Sequence, residues 1–204
     1  MNFANATSLI TINESAGTNA LTGSLTFAST ITGGSGVDTI VGGNVVDTIV
    51  GGAGNDSITG GLLGDTLTGG SGVDTFFMVG GGTAALWTSS LAVTGSMDSI
   101  TDFVTGTDKI SIINTGVATS SVVMTSVTVA TAADITALLA GIGNSVAATV
   151  GGAEQVGLIT VSGGAMAGTY LLLNDLVNAA SALDSLIKIT GVSGTVTASD
   201  FAVG

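Results

Sequence analysis

The chain has 204 residues, 33 of them glycine, and contains no cysteine, histidine or proline; its only basic side chains, Lys109 and Lys188, stand against 14 acidic ones for a net charge of −12. So acidic a chain offers no positive footprint to nucleic acid or to an anionic membrane surface, and without His, Cys or Arg it can build neither a Ser/His nor a Cys/His nucleophile system, so cations are its natural partners and no catalytic residue is expected. The lack of cysteine fits a reducing compartment, or an extracellular protein held together by something other than disulfides.

Residues 1–32 open with MNFANATSLI, which lacks the basic start of a secretory signal peptide. Thr30-Ile31-Thr32 already has the strand phase of residues 33–77, but Ser29 stands where an aspartate later recurs. This stretch is expected to be an N-terminal cap or the end of a preceding array.

Residues 33–77 divide every nine into GGSGVDTIV, GGNVVDTIV, GGAGNDSIT, GGLLGDTLT and GGSGVDTFF. Six residues of each unit read as loop and three as a very short strand. The middle strand position is Ile40, Ile49, Ile58, Leu67 and Phe76, flanked mostly by Thr, Ser or Val. Alternate strand side chains point to opposite faces, so these five should form an inward ladder. A strand this short must be followed by a reversal. Two units therefore make one coil, with odd loops stacked on one edge and even loops on the other.

Residues 78–204 read as a β-rich cap. DSITDFVTGTDKISI (98–112) suggests strand, turn, strand, and from 118 to 130 the β-branched run SVVMTSVTV suggests another strand. Thr131 and Asp134 form a capping box that should open one short helix carrying Ile135, Leu138, Leu139 and Ile142 on one face and stopping at Gly143. Strands are expected near Val156–Val161, Thr169–Leu173 and Ser185–Thr190, with TVTASDFAVG closing the chain. Mean hydropathy is high at +0.72. The longest uncharged stretch, Ile110 to Ala133, is nevertheless broken by Ser, Thr, Asn and Gly and reads as strands and turns rather than a transmembrane helix.

An aspartate holds position six in every unit: Asp38, Asp47, Asp56, Asp65 and Asp74. Stacked coils are roughly 4.8 Å apart, so the five fall into two columns. Carboxylates about 5 Å apart repel by roughly 0.8 kcal/mol in water and about 3 kcal/mol at an effective dielectric of 20. A column of them opposes folding unless a cation intervenes. Carboxylate and carbonyl oxygens in flexible loops favour Ca²⁺ over Mg²⁺, zinc or copper. Position four alternates: Gly36, Gly54 and Gly72 on the odd edge, Val45 and Leu63 on the even edge. The expected turn needs φ above zero there, which glycine adopts freely, so the even edge should be strained or remodelled.

These units resemble the GGxGxDxUx nonapeptide of RTX proteins, a calcium-bound parallel β-roll. The resemblance implies one Ca²⁺ between each loop and the loop two units on. One odd-edge site would use Gly34, Gly36, Asp38, Gly51, Ala53 and Asp56, and the next Gly52, Gly54, Asp56, Gly69, Ser71 and Asp74. The even edge offers Gly43, Val45, Asp47, Gly60, Leu62 and Asp65. Residues 98–112 are similar to the DxIxDFxxGxDKIDL segment after the roll of serralysin-type proteases, which makes Asp98 and Asp102 candidate ligands, although Ser111 replaces the last aspartate. Asp175 and Asp184 are read as turn formers, and no HExxH protease motif occurs.

The resemblance further implies export by a type I ABC transporter through an uncleaved C-terminal signal ending Asp200-Phe201-Ala202-Val203. A Thr-, Ala-, Val- and Gly-rich composition resembles that of Gram-negative S-layer proteins. The expected role is a calcium-dependent folding, secretion and assembly module of a cell-surface protein, self-associating into a lattice. The alternative is the terminal RTX module of a secreted adhesin or exoenzyme whose active domain lies upstream.

Overall fold

The computed structural model describes residues 1–2, 10–80, 97–114, 122–133, 137, 154–173 and 185–203. In chain order the strands are β1 (Ile10–Asn13), β2 (Ala20–Thr22), β3 (Ser29–Ser35), β4 (Thr39–Gly43), β5 (Thr48–Ala53), β6 (Ser57–Gly61), β7 (Thr66–Ser71), β8 (Thr75–Gly80), β9 (Ser99–Ile100) and β10 (Lys109–Asn114). They continue with β11 (Val122–Val129), β12 (Glu154–Val161), β13 (Gly168–Leu173) and β14 (Ser185–Ile189); a 3-10 turn at Ala198–Asp200 then leads into β15 (Phe201–Val203). The helix expected after Thr131 lies outside the described residues except for Ala137, which is helical. Asp175 and Asp184 lie outside them too.

Successive strands alternate between two sheets. One runs β2-β4-β6-β8-β10-β15 in spatial sequence, with neighbouring strands parallel; the other runs β1-β3-β5-β7-β9-β14-β13-β12-β11. Partners within the repeat are 18 residues apart, as in Thr30 with Thr48 and Thr39 with Ser57. The coil is therefore two nonapeptides, and the molecule is a parallel β-roll. Both sheets run past the repeat without a break. β1 and β2 add strands upstream, and β9, β10 and β15 add strands downstream. In the larger sheet β13 then turns antiparallel between β14 and β12.

Each sheet contributes one six-rung inward ladder. Leu21, Ile40, Ile58, Phe76, Ile110 and Phe201 face Ile12, Ile31, Ile49, Leu67, Ile100 and Ile189, and all are buried. The narrow space between the sheets admits one large apolar side chain per strand, and the flanking Thr and Ser positions turn outward. Phe103 packs against Phe76, ring centroids 6.4 Å apart, where the repeat gives way to the cap. Within the cap, β12–β14 are buried on both faces. Val156, Leu171 and Ile187 join the roll's core, while Ile159, Tyr170, Leu172 and Leu186 form a second cluster.

The strands of the repeat have five to seven residues rather than three. The additional length comes from the glycine pairs, which join the ladders as Gly34 with Gly52, Gly43 with Gly61 and Gly52 with Gly70. A residue without a side chain can pair its N–H and C=O where two backbones approach too closely for anything larger.

Candidate metal centres

The aspartates form two hydrogen-bonded columns. On the odd edge the amide of Asn19 donates to Oδ1 of Asp38 (2.8 Å), that of Asp38 to Asp56 (2.9 Å), that of Asp56 to Asp74 (2.9 Å) and that of Asp74 to Asp108 (3.1 Å). On the even edge the amide of Ser29 donates to Asp47, that of Asp47 to Asp65 (2.8 Å) and that of Asp65 to Asp98 (2.9 Å). Each carboxylate thus holds the loop before it through one oxygen. The other oxygen, Oδ2 of Asp38, Asp47, Asp56, Asp65 and Asp74, is buried without any hydrogen-bond partner. Five orphaned carboxylate oxygens in one small roll are costly, since a lost partner for a buried polar group is worth about 1–3 kcal/mol and more if it is charged.

The surroundings of those oxygens fit a hard cation. A Cβ on Gly33 would run into both Oδ2 of Asp38 and the carbonyl oxygen of Gly51. The same holds for Gly51, with Asp56 Oδ2 and the Gly69 carbonyl, and for Gly42, with Asp47 Oδ2 and the Gly60 carbonyl. The position-one glycine therefore keeps open a space in which one loop's carboxylate meets the next loop's carbonyl. Three such cradles exist among the described residues, two on the odd edge and one on the even edge. At Gly60 and Gly69 the three nearest atoms all belong to their own aspartates, Asp65 and Asp74. Gly36 donates its amide to the Ala53 carbonyl (2.6 Å), Gly54 to Ser71 (2.8 Å) and Leu62 to Gly43 (2.9 Å), and each acceptor keeps a second lone pair. Among the described residues no three acidic side chains are grouped to hold a metal, so the rest of any coordination shell must come from backbone oxygen.

Electrostatics point the same way. Asp65 is pushed up to about 8 by burial, opposed by the Asp47 amide and reinforced by the charges of Asp98 and Asp47. Burial likewise raises Asp74 to about 6, with Asp108, Asp56 and Asp102 adding repulsion. Asp47 and Asp56 are raised too, again chiefly by burial. A divalent ion at the cradles would favour the ionised form and remove this penalty.

The profile described as the RTX calcium-binding nonapeptide repeat (4 copies) matches two overlapping stretches, residues 25–47 and 42–76. These are RTX repeats. The calcium that defines them is the ion the cradles fit: Asp38, Asp47 and Asp56, with the carbonyls of Gly51, Gly60 and Gly69, would hold it, and it would supply the charge neutralisation that the folded columns lack. The chain is also similar to the solution structure of the AlgE6R3 subunit from the Azotobacter vinelandii mannuronan C5-epimerase, at 21% identity over 94% of this chain and 82% of that one, with a TM-score of 0.45. No curated protein matches the chain. The RTX profile begins eight residues before the first GGxGxD unit, at residue 25, and takes in Ser29, whose backbone fills the aspartate slot ahead of Asp47.

The two edges of the RTX roll differ as the alternating glycine suggests. Gly36, Gly54 and Gly72 take φ of 122°, 139° and 134°. There the strands run on to position three, pairing Ser35 with Ala53 and Ala53 with Ser71. On the even edge β4 and β6 stop one residue sooner, at Gly43 and Gly61. Leu63 enters the left-handed region at φ 70°, alone among the described non-glycine residues. Val45 does not. Its branched Cβ resists that region, and its loop takes a different course.

Beyond the repeat, Asp98 falls in the even column after Asp65, and Asp102 accepts the amides of Gly69 (2.9 Å) and Gly70 (2.8 Å). Asp102 thereby caps the end of β7. Sequence reasoning passed over Asp108, which continues the odd column and uses its second oxygen on the Val104 amide (2.8 Å). The signal was present: Asp108-Lys109-Ile110 has the phase of Asp74-Thr75-Phe76, displaced by 34 residues instead of 18. Asp200, fully buried, binds the amides of Gly106 (2.7 Å) and Thr197 (2.8 Å) and joins the end of the chain to this last loop.

Proposed function

We propose that this chain is a calcium-folded module for export and assembly of a cell-surface, S-layer-like protein, with no catalytic role of its own. The observation that carries the reading is the set of five buried, unpartnered aspartate oxygens in a chain with two basic residues. Where calcium is scarce, the columns repel and the roll resists closing. Where it is plentiful, the same columns become the adhesive between coils. Such a chain can cross a type I transporter unfolded and close outside the cell.

Circular dichroism in chelator should show little β-structure, and Ca²⁺ should restore it with a midpoint of roughly 10⁻⁴–10⁻³ M. Mg²⁺ should substitute poorly, because its small octahedral shell does not suit mixed carboxylate and carbonyl loops. A spectrum indifferent to calcium would reject the reading. For export, deleting the last few dozen residues should leave the protein inside the cell, and unchanged secretion would remove the type I route. The same calcium chemistry would serve a terminal module of an adhesin or exoenzyme. Electron microscopy of calcium-treated protein separates the two, since only the S-layer reading expects ordered sheets.

A further inference from the structure

Residues 10–32 follow the coil plan of the repeat, yet their loops place N–H groups where the later loops leave an unpartnered carboxylate oxygen. β1 pairs with β3 as far as Asn13 with Thr32, and the Asn19 amide donates to Asp38, so Glu14-Ser15-Ala16-Gly17-Thr18-Asn19 lies in the frame of GGxGxD. Gly17 has the position-four geometry: its φ is 96°, and its amide donates to the Ser35 carbonyl (2.7 Å) as that of Gly36 does to Ala53. Position six differs. Asn19 Nδ2 donates to the carbonyls of Gly17 (3.1 Å) and Gly33 (3.2 Å) and to Asp38 Oδ1 (3.0 Å). Three oxygens from two successive loops converge on one nitrogen and share its two hydrogens. Position one is Glu14, so the glycine that keeps the cradles open at Gly33 and Gly51 is absent from this loop. On the even edge a Cβ on Gly23 would meet the Gly42 carbonyl oxygen and Ser29 Oγ, the juxtaposition seen at Gly33, Gly42 and Gly51 with a hydroxyl in place of Oδ2. That hydroxyl has a partner: it accepts the Ser24 amide (3.1 Å). Among the described residues, the buried side-chain oxygens without a partner all belong to the five repeat aspartates, and loops 14–19 and 23–29 have none.

We propose that residues 10–32 form a metal-independent first coil, a cap in which the chain's own N–H groups take the places that calcium takes between the later coils. This rests on the calcium-folded reading above. The Asn19 side chain is the principal surrogate. The atoms it gathers, two backbone carbonyls and one carboxylate oxygen, are the donor types a calcium ion selects, and a neutral amide satisfies them without adding charge. A carboxylate at the same position would turn an oxygen toward those three oxygens and call for a cation. Glu14 is the one charged side chain in residues 10–32, so this coil carries none of the repulsion that opposes closure of the repeat. The cap also anchors both aspartate columns. Asp38 takes the main-chain and side-chain N–H groups of Asn19, and Asp47 takes the amide of Ser29, so the first carboxylate of each column keeps its partner when calcium falls. Terminal units of a stacked array need a modified surface of this kind, since they have no further coil to share ligands with.

Exchanging the amide for a carboxylate tests the assignment. Equilibrium dialysis against Ca²⁺ should find that Asn19→Asp binds one more ion per chain than the wild type. Thr18→Asp is the control: it adds the same charge one residue away, on an exposed side chain, and should bind the wild-type number. No gain at Asn19→Asp, an equal gain in both variants, or an Asn19→Asp chain that stays unfolded in saturating calcium would overturn the proposal. Asn19→Leu, of similar size but unable to donate, supplies a second readout. It should bind the wild-type number of ions, while its calcium midpoint for folding, followed by circular dichroism, rises at least about threefold, because three oxygens lose their partner. A midpoint equal to that of the wild type would show that the amide holds nothing. The dialysis also keeps the two ideas apart. A wild-type chain that binds no calcium removes the calcium-folded reading, whereas calcium binding by the wild type with no gain at Asn19→Asp removes the cap assignment alone.

Discussion

Acid should fold the calcium-free roll. Asp65 ionises near 3.8 in the unfolded chain and at about 8 in the folded one, because burial disfavours its charge. A folded pKa raised in this way means that the native state holds its proton longer. Stability is then fully present below 3.8 and is lost as pH rises through that value towards 8. By pH 7 the linkage amounts to about 4 kcal/mol for Asp65. Asp74, raised to about 6, contributes at most about 3 kcal/mol more on the other edge, less whatever solvent screening removes. Set against total stabilities of about 5–15 kcal/mol, this decides whether the metal-free roll exists. Circular dichroism in chelator should show β-structure growing as pH falls from 8 to about 4. The isoelectric point lies near 4.1, so relief of general repulsion acts in the same direction. Asp65→Asn separates the two, since it alters the net charge by one yet removes the largest buried penalty. It should shift the calcium-free transition to higher pH. A chelated spectrum that does not change between pH 8 and 4, or an Asp65→Asn transition at the wild-type pH, would refute the reasoning.

Asp56 lies in one odd-edge cradle through Oδ2 and holds the Asp38 loop of the other through Oδ1, so Asp56→Ala should raise the calcium midpoint at least about tenfold and Asp65→Ala less than about threefold; equal shifts in a calcium titration would show that the position-four glycine is irrelevant. Gly54→Val places a Cβ on the Gly36 carbonyl at a φ closed to valine, and should cost about 3 kcal/mol or more in denaturant unfolding with calcium present. Val45→Gly on the opposite edge should change stability by no more than about 1 kcal/mol.

Much of this was legible because the roll is periodic. An aspartate every nine residues and a large apolar residue two positions later locate every rung and both columns from Ile40 to Phe76 without reference to tertiary contacts. Legibility faded where the period did. Residues 10–32 belong to the same two sheets, yet Asn19 and Ser29 fill the aspartate slots through their backbone amides, which no residue pattern announces. Asp108 kept its local phase, but the longer excursion between β8 and β10 hid its column. The even-edge cradle at Gly42 persists although Val45 lacks glycine's freedom, because the carbonyl it needs is supplied at position one by Gly60. The division of labour between the two aspartate oxygens could not be read from residue types at all, since it depends on which amide lies 18 residues away.

The chain repeats its letters every nine residues but its geometry every eighteen, and this imposes a parity rule on its heredity. Losing two adjacent units shortens the roll by a single coil and leaves every remaining strand in its own sheet. Losing one unit transfers everything downstream to the opposite sheet. Phe76 would arrive on the wrong wall, Asp98 and Asp108 would trade columns, and glycine-bearing loops would be stacked on apolar ones. Unequal recombination within such a gene can therefore be tolerated in even steps and punished in odd ones, so natural length variants of this roll should differ by whole coils.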